Sequence, residues 1–237
     1  MHNIWPLGKI PKEFQRPEPE QIKQLGYNWS KPHEIVEMFE QEIADYAGSK
    51  YAVAVDCDTN AIFLCLKYLG KYKKTITIPT HTYISVPNII VTAGYKKINL
   101  EEKEWQGLYQ LEPLNIWDSA GRFTKGMYVK DSFYCLSFHA KKKLAIGRGG
   151  MILTDNEDAY KWFKLARFDG RNEVDLNNDS FEMLGWNFYM TPEQASRGLW
   201  LFHSLKNLNN GVHKDLEENP PYPDLSKFKI YTEENKT

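Results

Sequence analysis

The segment Tyr51–Gly70 reads YAVAVDCDTNAIFLCLKYLG, and its three successive patterns decide the fold. Tyr51–Val55 is a short apolar run of the kind found in buried strands. A polar turn, 56–60, follows, and the helical run 61–70 then ends at a glycine, a common helix stop. A strand, a polar turn and a helix in this order direct free backbone N–H groups at an anion. The segment therefore predicts a βα unit with an anion site at the head of its helix.

The same alternation extends in both directions along the chain. Upstream, apolar residues spaced by three and four predict a helix from His33 to Gly48. Downstream, helices are predicted at 84–93, 157–168 and from Thr191 or Pro192 to Leu208, and strands at 75–79, 95–100, 115–118 and 131–138. Gly149–Asp155 is predicted to return as the second strand of a hairpin. This order favours an α/β fold, a three-layer αβα sandwich whose sheet is mostly parallel with an antiparallel strand or two.

Prolines and polarity divide the chain into three parts. Residues 1–32 contain five prolines and few periodic apolar positions, so we expect an extended N-terminal arm with little regular structure. Residues 33–208 form the large domain that carries the βα units. The residues from Asn209 to Thr237 are polar and contain three prolines, which predicts a tail rather than a second domain.

Composition limits the classes of function. With 237 residues, 42% of them hydrophobic, the chain is neither a disordered tail nor a fibrous repeat. A formal net charge of -1 makes sequence-independent nucleic-acid binding a poor match. The chain lacks the roughly 18 consecutive apolar residues that span a bilayer, so a soluble, cytoplasmic protein without a membrane partner is expected. Three separated cysteines, Cys57, Cys65 and Cys135, suggest buried free thiols rather than disulfides or a zinc site.

The most informative segment for chemistry is Ser137–Gly150, SFHAKKKLAIGRGG. By itself, a lysine-rich loop between strands is most often a solvated or phosphate-attracting patch. The rest of the chain favours another interpretation, because pyridoxal phosphate needs a lysine, an acid, an aromatic ring and an anion cup. Candidates for all four occur at the ends of predicted strands, where α/β folds place their ligands.

At these residues the chain resembles the DegT/DnrJ/StrS nucleotide-sugar aminotransferases, which have the type I pyridoxal-phosphate fold. Their lysine segment has the form Ser-Phe-x-x-x-Lys followed by Gly-x-Gly-Gly, and this spacing selects Lys142 over its two lysine neighbours. Pro79–Tyr83 resembles their Pro-x-x-Thr-aromatic motif, and Gly185–Thr191 resembles their Gly-x-Asn-x-Arg-Met segment. The matches extend over about residues 20 to 206.

The resemblance implies a role for each matching residue. Lys142 would be the Schiff-base lysine and then the base that moves the proton between the substrate carbon and the cofactor. Asp118 would pair with the pyridine nitrogen and keep it protonated, which makes the ring an electron sink. Tyr83 would stack on the cofactor ring.

The resemblance also implies a phosphate cup and a dimer. Thr59 and the N–H groups at the start of its helix would hold the phosphate, with a further hydroxyl from Ser137. Asn187 corresponds to a residue that reaches the phosphate bound by the other subunit. The chain is therefore expected to form a homodimer with shared active sites.

Several positions depart from the family pattern. Asp58 stands in the phosphate turn where the family has glycine, so a carboxylate lies near a dianion. Gly121 replaces the Gln or His that touches the phenolic oxygen of the cofactor, and Tyr189 replaces an arginine near the lysine. Only about 18 positions separate Leu100 from Asp118, where the family has another strand–helix unit. The C-terminal small domain that helps to close the family's substrate site does not follow the last predicted helix.

These features lead to a main hypothesis and two alternatives. The main one is a pyridoxal-phosphate-dependent aminotransferase of polysaccharide biosynthesis that moves an amino group from an amino acid, with glutamate the expected donor, onto a nucleotide-linked keto-sugar. A sugar dehydratase of the same family would have histidine in place of Lys142, which argues against it. A degenerate scaffold that keeps the fold without turnover is favoured by Asp58, Gly121 and Tyr189.

Overall fold

The computed structural model describes residues 11–208 and 221–232. The helices are α1 Glu18–Gln24, α2 Glu34–Ala47, α3 Asp58–Leu69, α4 Ser85–Thr92, α5 Glu157–Ala166, α6 Pro192–Leu208 and α7 Lys229–Thr232. The strands are β1 Tyr51–Val55, β2 Thr75–Pro79, β3 Lys97–Glu101, β4 Tyr109–Gln110, β5 Ile116–Asp118, β6 Phe133–Ser137 and β7 Gly150–Thr154. The predicted alternation of strands and helices is thus confirmed, with ends that differ by a few residues.

Five strands form one sheet in the order β1-β7-β6-β5-β4, and β2 pairs with β3 in a separate parallel ribbon. Within the larger sheet β5 and β6 are parallel, whereas the other pairs are antiparallel, including the predicted hairpin of β6 and β7. The α/β class is confirmed, but antiparallel pairing is more extensive than the mostly parallel sheet that was expected. The extra antiparallel pair arises because five residues join β4 to β5, too few for the crossover that parallel neighbours require.

Helices cover both faces of the larger sheet. On one face Val53, Cys135 and Ile152 are buried in a cluster with residues of α3, α4 and α5. On the other face, neighbouring positions of the same strands are buried with residues of α2 and α6. This alternation of side chains between two cores is the expected three-layer arrangement.

Helix α3 begins earlier than the sequence predicted. Its first residue is Asp58 rather than Ala61, because the backbone of Cys57 is extended and the expected polar turn is already the first helical turn. The helix ends at Gly70, whose positive φ of 60° is a conformation that glycine adopts easily. The early start places Asp58 and Thr59 at the head of the helix, where backbone N–H groups are free of helical partners.

The expectation of an irregular N-terminal arm is wrong in part. Residues 18–24 form α1, and Ile22 is fully buried in the same core as α2 and α6. Glu18 accepts hydrogen bonds from Arg16 at 2.7 Å and from Arg197 of α6 at 2.9 Å. The arm therefore packs on the domain from Pro17 onwards, and its first ten residues lie outside the described part.

The polar tail also differs from the prediction. Residues 209–220 lie outside the described part, but 221–232 contain a 3-10 turn, Leu225–Lys227, and helix α7. The Leu225 side chain is fully buried, so this part of the tail packs against the domain.

Two of the three cysteines are as expected. Cys65 and Cys135 are free and buried, with 3.8 Å between their sulfur atoms, whereas Cys57 is free and only partly buried. Within residues 11–208 and 221–232, none of the helices combines the length and the apolar character needed to cross a bilayer.

Candidate active site

The predicted site residues lie where three elements end or begin. Asp118 closes β5, Ser137 closes β6, and Asp58 opens α3. Gly150 of β7 is paired with Ser137, and a Cβ atom on it would lie 2.4 Å from the Cys57 carbonyl carbon and 2.5 Å from the Asp58 nitrogen. Only glycine therefore lets β7 approach the head of α3 this closely. This contact explains why the last residue of the lysine segment is glycine.

Asp118 is buried and is held by two donors. The N–H of Ala120 donates to its Oδ1 at 3.0 Å, and the Tyr109 hydroxyl donates to the same carboxylate. Tyr109 in turn is 2.7 Å from the Thr82 hydroxyl. Burial raises the pKa of Asp118, and these donors together with the charge of Lys142 oppose that rise. Tyr109 was not predicted as a site residue, because it lies in the stretch of sequence that departs most from the family pattern.

Asp58 faces the same space as Asp118. Its Oδ1 is buried and has no hydrogen-bond partner in the described part of the chain. Burial, and then the charge of Asp118, raises the pKa of Asp58, while the charge of Lys142 lowers it. The structure thus brings Asp58, Asp118 and Lys142 close enough together for each charge to affect the pKa of the two acids.

A tight loop presents Lys142 to this space. Its N–H donates to the His139 carbonyl at 2.8 Å, and the N–H of Ala140 donates to the Gly147 carbonyl at 3.0 Å. Gly147 has a positive φ of 107°, which closes the loop at a conformation that favours glycine. Lys142 is half-buried, whereas its neighbour Lys141 is exposed.

The predicted phosphate and ring residues surround the same region. The Thr59 hydroxyl in the first turn of α3 donates to the Ser85 hydroxyl at 2.9 Å. The Ser137 hydroxyl accepts from the His139 N–H at 3.4 Å. Tyr83 precedes α4, and its side chain is 57% exposed, so its ring can accept a ligand on one face.

Two positions that depart from the family pattern, Gly121 and Tyr189, and the matching residue Asn187 have defined surroundings in the structure. A Cβ atom on Gly121 would lie 2.8 Å from the Gly107 Cα, so this position cannot carry a side chain toward the cofactor. Tyr189 packs edge-on against Phe168, with ring centroids 5.0 Å apart. Asn187 is exposed and donates to Asp169 at 3.0 Å, so its reach to a second subunit stays a prediction.

An aromatic group beside the acids was not expected from the sequence. Tyr222 of the tail stacks on Trp105 with ring centroids 6.0 Å apart. Its ring centroid lies 6.4 Å from that of Tyr83. Trp105 also contacts Tyr109 edge-on at 4.7 Å. The polar, proline-rich tail gave no pattern that would have placed Tyr222 at this site.

Helices on both faces of a mixed sheet, with a lysine loop, a buried acid and a helix N-terminus at one end, define an α/β domain of the aminotransferase type. The chain belongs to the DegT/DnrJ/EryC1/StrS aminotransferase family, whose model matches residues 15–116 and 120–217. This family implies pyridoxal phosphate as the cofactor, in agreement with the prediction from the sequence.

Relatives of this chain include proteins of sugar biosynthesis. It is 26% identical over 247 residues to the spore coat polysaccharide biosynthesis protein SpsC of Bacillus subtilis, covering 82% of this chain and 62% of the relative. It is 24% identical to a UDP-4-amino-4,6-dideoxy-N-acetyl-beta-L-altrosamine transaminase of Campylobacter jejuni, covering 83% of this chain and 65% of the relative. The chain thus spans less than two thirds of the length of these curated relatives.

Solved structures show the same fold. Helicobacter pylori PseC, an aminotransferase involved in the biosynthesis of pseudoaminic acid, superposes with a TM-score of 0.66 at 13% identity, over 94% of this chain and 86% of that chain. The 3-amino-5-hydroxybenzoic acid synthase superposes with a TM-score of 0.65 at 19% identity, over 84% of this chain and 63% of that chain.

Proposed function

We propose that this protein is a pyridoxal-phosphate-dependent aminotransferase that moves an amino group from an amino acid to a nucleotide-linked keto-sugar. The observation that carries the proposal is that Lys142 and the buried Asp118 face one space in a chain of this family. The names of the relatives support the substrate class, since they include a UDP-sugar transaminase and a GDP-perosamine synthase.

The donor set fits the cofactor. Lys142 offers an amine, Asp118 a buried acid, and the head of α3 an anion site with the Thr59 hydroxyl. Asp58 is the residue that conflicts with a phosphate dianion when it is ionised. Its buried Oδ1 has no hydrogen-bond partner among the described residues, and burial raises its pKa, which disfavours the ionised form that would repel a phosphate.

Each residue then has a definite task. Pyridoxal phosphate, when bound, withdraws electrons from the substrate and makes its Cα proton removable. Lys142 would carry that proton to and from the substrate carbon. Asp118, fixed by Tyr109 and Ala120, would hold the proton on the pyridine nitrogen. Tyr83 would orient the ring by stacking.

An absorbance titration tests the assignment of Lys142. Purified protein with added pyridoxal phosphate should develop the visible band of a cofactor bound covalently to a lysine, and Lys142→Ala should lose it. Lys141→Ala and Lys143→Ala are matched controls that should keep the band. Borohydride reduction and peptide mapping should label Lys142, and a label on either neighbour, or none, would show that the assignment is wrong.

A second assay tests the reaction. Glutamate added to the loaded protein should remove the visible band, and a UDP- or GDP-linked keto-sugar should restore it. A band that forms but does not respond to any amino acid would favour the degenerate scaffold, which the buried Asp58 Oδ1, without a hydrogen-bond partner among the described residues, also favours.

The active form is proposed to be a homodimer with shared sites. The loop before Asn187 exposes apolar side chains, among them Phe181 at 59% and Leu184 at 93%. Exposed apolar groups gathered on one loop are typical of a surface that a partner covers. A second copy placed there would bring Asn187 close to an interface, as its predicted role requires.

A further inference from the structure

The described part of the tail is anchored beside the candidate active site. The Leu225 N–H donates to the Thr80 carbonyl at 3.1 Å, and its side chain is fully buried. Asp224 pairs in an antiparallel bridge with His81, the residue after Thr80 in the loop that carries Tyr83. The Tyr231 hydroxyl donates to Asn88 of α4 at 3.0 Å. Segment 221–232 therefore contacts the domain on both sides of Tyr83.

These contacts hold Tyr222 against an aromatic wall. Its ring lies nearly parallel to Trp105, with an interplanar angle of 14°. Trp105 is fixed by a hydrogen bond from its indole N–H to the His81 carbonyl at 3.0 Å and by its edge contact with Tyr109. Tyr109 is the residue that donates to Asp118. A continuous set of aromatic contacts thus connects Tyr222 with the buried acid.

Tyr222 lies close enough to Asp118, Tyr83 and Asp58 for their charges to affect its hydroxyl. Burial raises the pKa of Tyr222 to about 12, and the charges of Asp118, Tyr83 and Asp58 contribute to the rise. The half-buried hydroxyl is therefore neutral at physiological pH and can donate a hydrogen bond. Tyr222 and Tyr83, whose ring centroids are 6.4 Å apart, thus lie beside the two acids.

We propose that segment 221–232 forms one wall of the active site and that Tyr222 contacts the bound ligand through its ring and hydroxyl. The inference rests on the proposed function, because it takes pyridoxal phosphate as the ligand. Tyr222 is in this view a positioning residue for the ligand, whereas Tyr231 only anchors the segment.

Titrations of the full chain with pyridoxal phosphate test this role. Tyr222→Ala removes an aromatic contact and a hydrogen-bond donor, and should weaken binding about tenfold. Tyr222→Phe keeps the ring and should weaken binding less, with a shifted absorption maximum because a polar group near the cofactor is lost. Tyr231→Phe is the matched control, since it loses a hydroxyl of the same segment away from the acids, and should bind as the wild type does.

Amide hydrogen exchange gives a readout that does not depend on activity. Cofactor binding should slow exchange in residues 221–228 of the wild type, because a ligand that contacts Tyr222 stabilises the segment. Should Tyr222→Ala fail to fold, Tyr222→Phe and the exchange measurement decide.

The outcomes separate the two proposals. A wild type without the visible band would overturn the proposed function and this inference with it. A normal band with equal or tighter binding by Tyr222→Ala, or with unchanged exchange in the segment, would overturn only the role of Tyr222 and leave the aminotransferase assignment standing.

Discussion

At the scale of single residues, Asp58 is the position that most affects the chemistry. Its carboxyl begins α3, where the backbone favours an anion, yet its neighbours include the acid Asp118. Lys142 is the cation that offsets both acids. The charge of Asp58 also raises the pKa of the Tyr109 and Tyr222 hydroxyls and of the Cys135 thiol. We therefore expect the protonation of Asp58 to affect how tightly the head of α3 binds a phosphate.

We predict that Asp58→Gly tightens the binding of pyridoxal phosphate. A carboxylate about 5 Å from a phosphate costs on the order of 1 kcal/mol even in a high dielectric, so affinity should rise about fivefold or more. Below the raised pKa of Asp58 the carboxyl is neutral, so the wild type and Asp58→Gly should bind the cofactor with similar affinity. The difference should grow as pH rises through that pKa, which titrations of the apo protein at several pH values will measure.

Asp58→Asn is the control for this prediction, because it keeps the size of the side chain and removes the charge. It should show the tighter binding at high pH without the added backbone freedom of glycine. Equal or weaker affinity in both variants would mean that Asp58 has a purely structural role at the start of α3.

At the scale of elements, the approach of β7 to α3 shapes the phosphate cup. We predict that Gly150→Ala lowers both the free energy of unfolding and the affinity for the cofactor, because the new methyl group would overlap the Cys57–Asp58 peptide. Overpacking of this kind costs about 1–3 kcal/mol. Urea unfolding and cofactor titration measure the two effects.

Gly149→Ala is the matched control for the strand–helix contact. Its methyl group would lie 2.8 Å from the ends of Ile146 and Met190, two flexible side chains that can move away. The loss of stability should therefore be smaller than in Gly150→Ala. Similar losses in both variants would contradict the idea that the backbone contact is the critical one.

The docking of α1 on α6 gives a prediction about pH. Glu18 is nearly buried, and its hydrogen bond from Arg16, helped by Arg197, lowers its pKa to about 2. Its unfolded pKa is higher, so this carboxylate stabilises the fold above about pH 4.5, and that contribution disappears as pH falls toward 2. Glu18→Gln should reduce the free energy of unfolding by about 2 kcal/mol at pH 7.

Urea unfolding at pH 7 and pH 3 checks the Glu18 prediction. The difference in the free energy of unfolding between the wild type and Glu18→Gln should be smaller at pH 3 than at pH 7. Glu20→Gln, in the same helix, removes an exposed ion pair with Lys23 and should change the free energy of unfolding little at either pH. A gap that is independent of pH would show that Glu18 acts through packing alone.

At the scale of the whole molecule, the proposed homodimer predicts a defined mass in solution. Static light scattering of the loaded protein at micromolar concentration should give twice the mass of the 27.7 kDa chain. Leu184→Glu places a charge on the most exposed apolar side chain of the loop and should shift the equilibrium toward monomer.

Val129→Glu is the control for the dimer surface, since Val129 is also exposed but lies on a different loop. It should leave the mass unchanged. A monomeric wild type in the presence of cofactor would remove both the dimer and the shared site.

Local features of the sequence were sufficient for several conclusions. The period of apolar residues gave α2 and its glycine stop at Gly48, and the strand–turn–helix pattern gave β1 and α3. The spacing of the lysine motif selected Lys142, the family resemblance pointed to Asp118 and to the departure at Asp58, and the structure brings the three together. Such features are readable because helix period, strand alternation and motif spacing each depend on residues close together in the chain.

The remaining features depend on contacts between distant residues. Helix α1 forms where Ile22 packs into a core built by α2 and α6. Gly121 is explained only by its contact with Gly107. Tyr109 reaches Asp118 through the pairing of β4 with β5, whereas Tyr222 of the tail stacks on Trp105, which lies far from it in the sequence. Tertiary packing decided these placements, because the burial of a side chain depends on neighbours that no local pattern names.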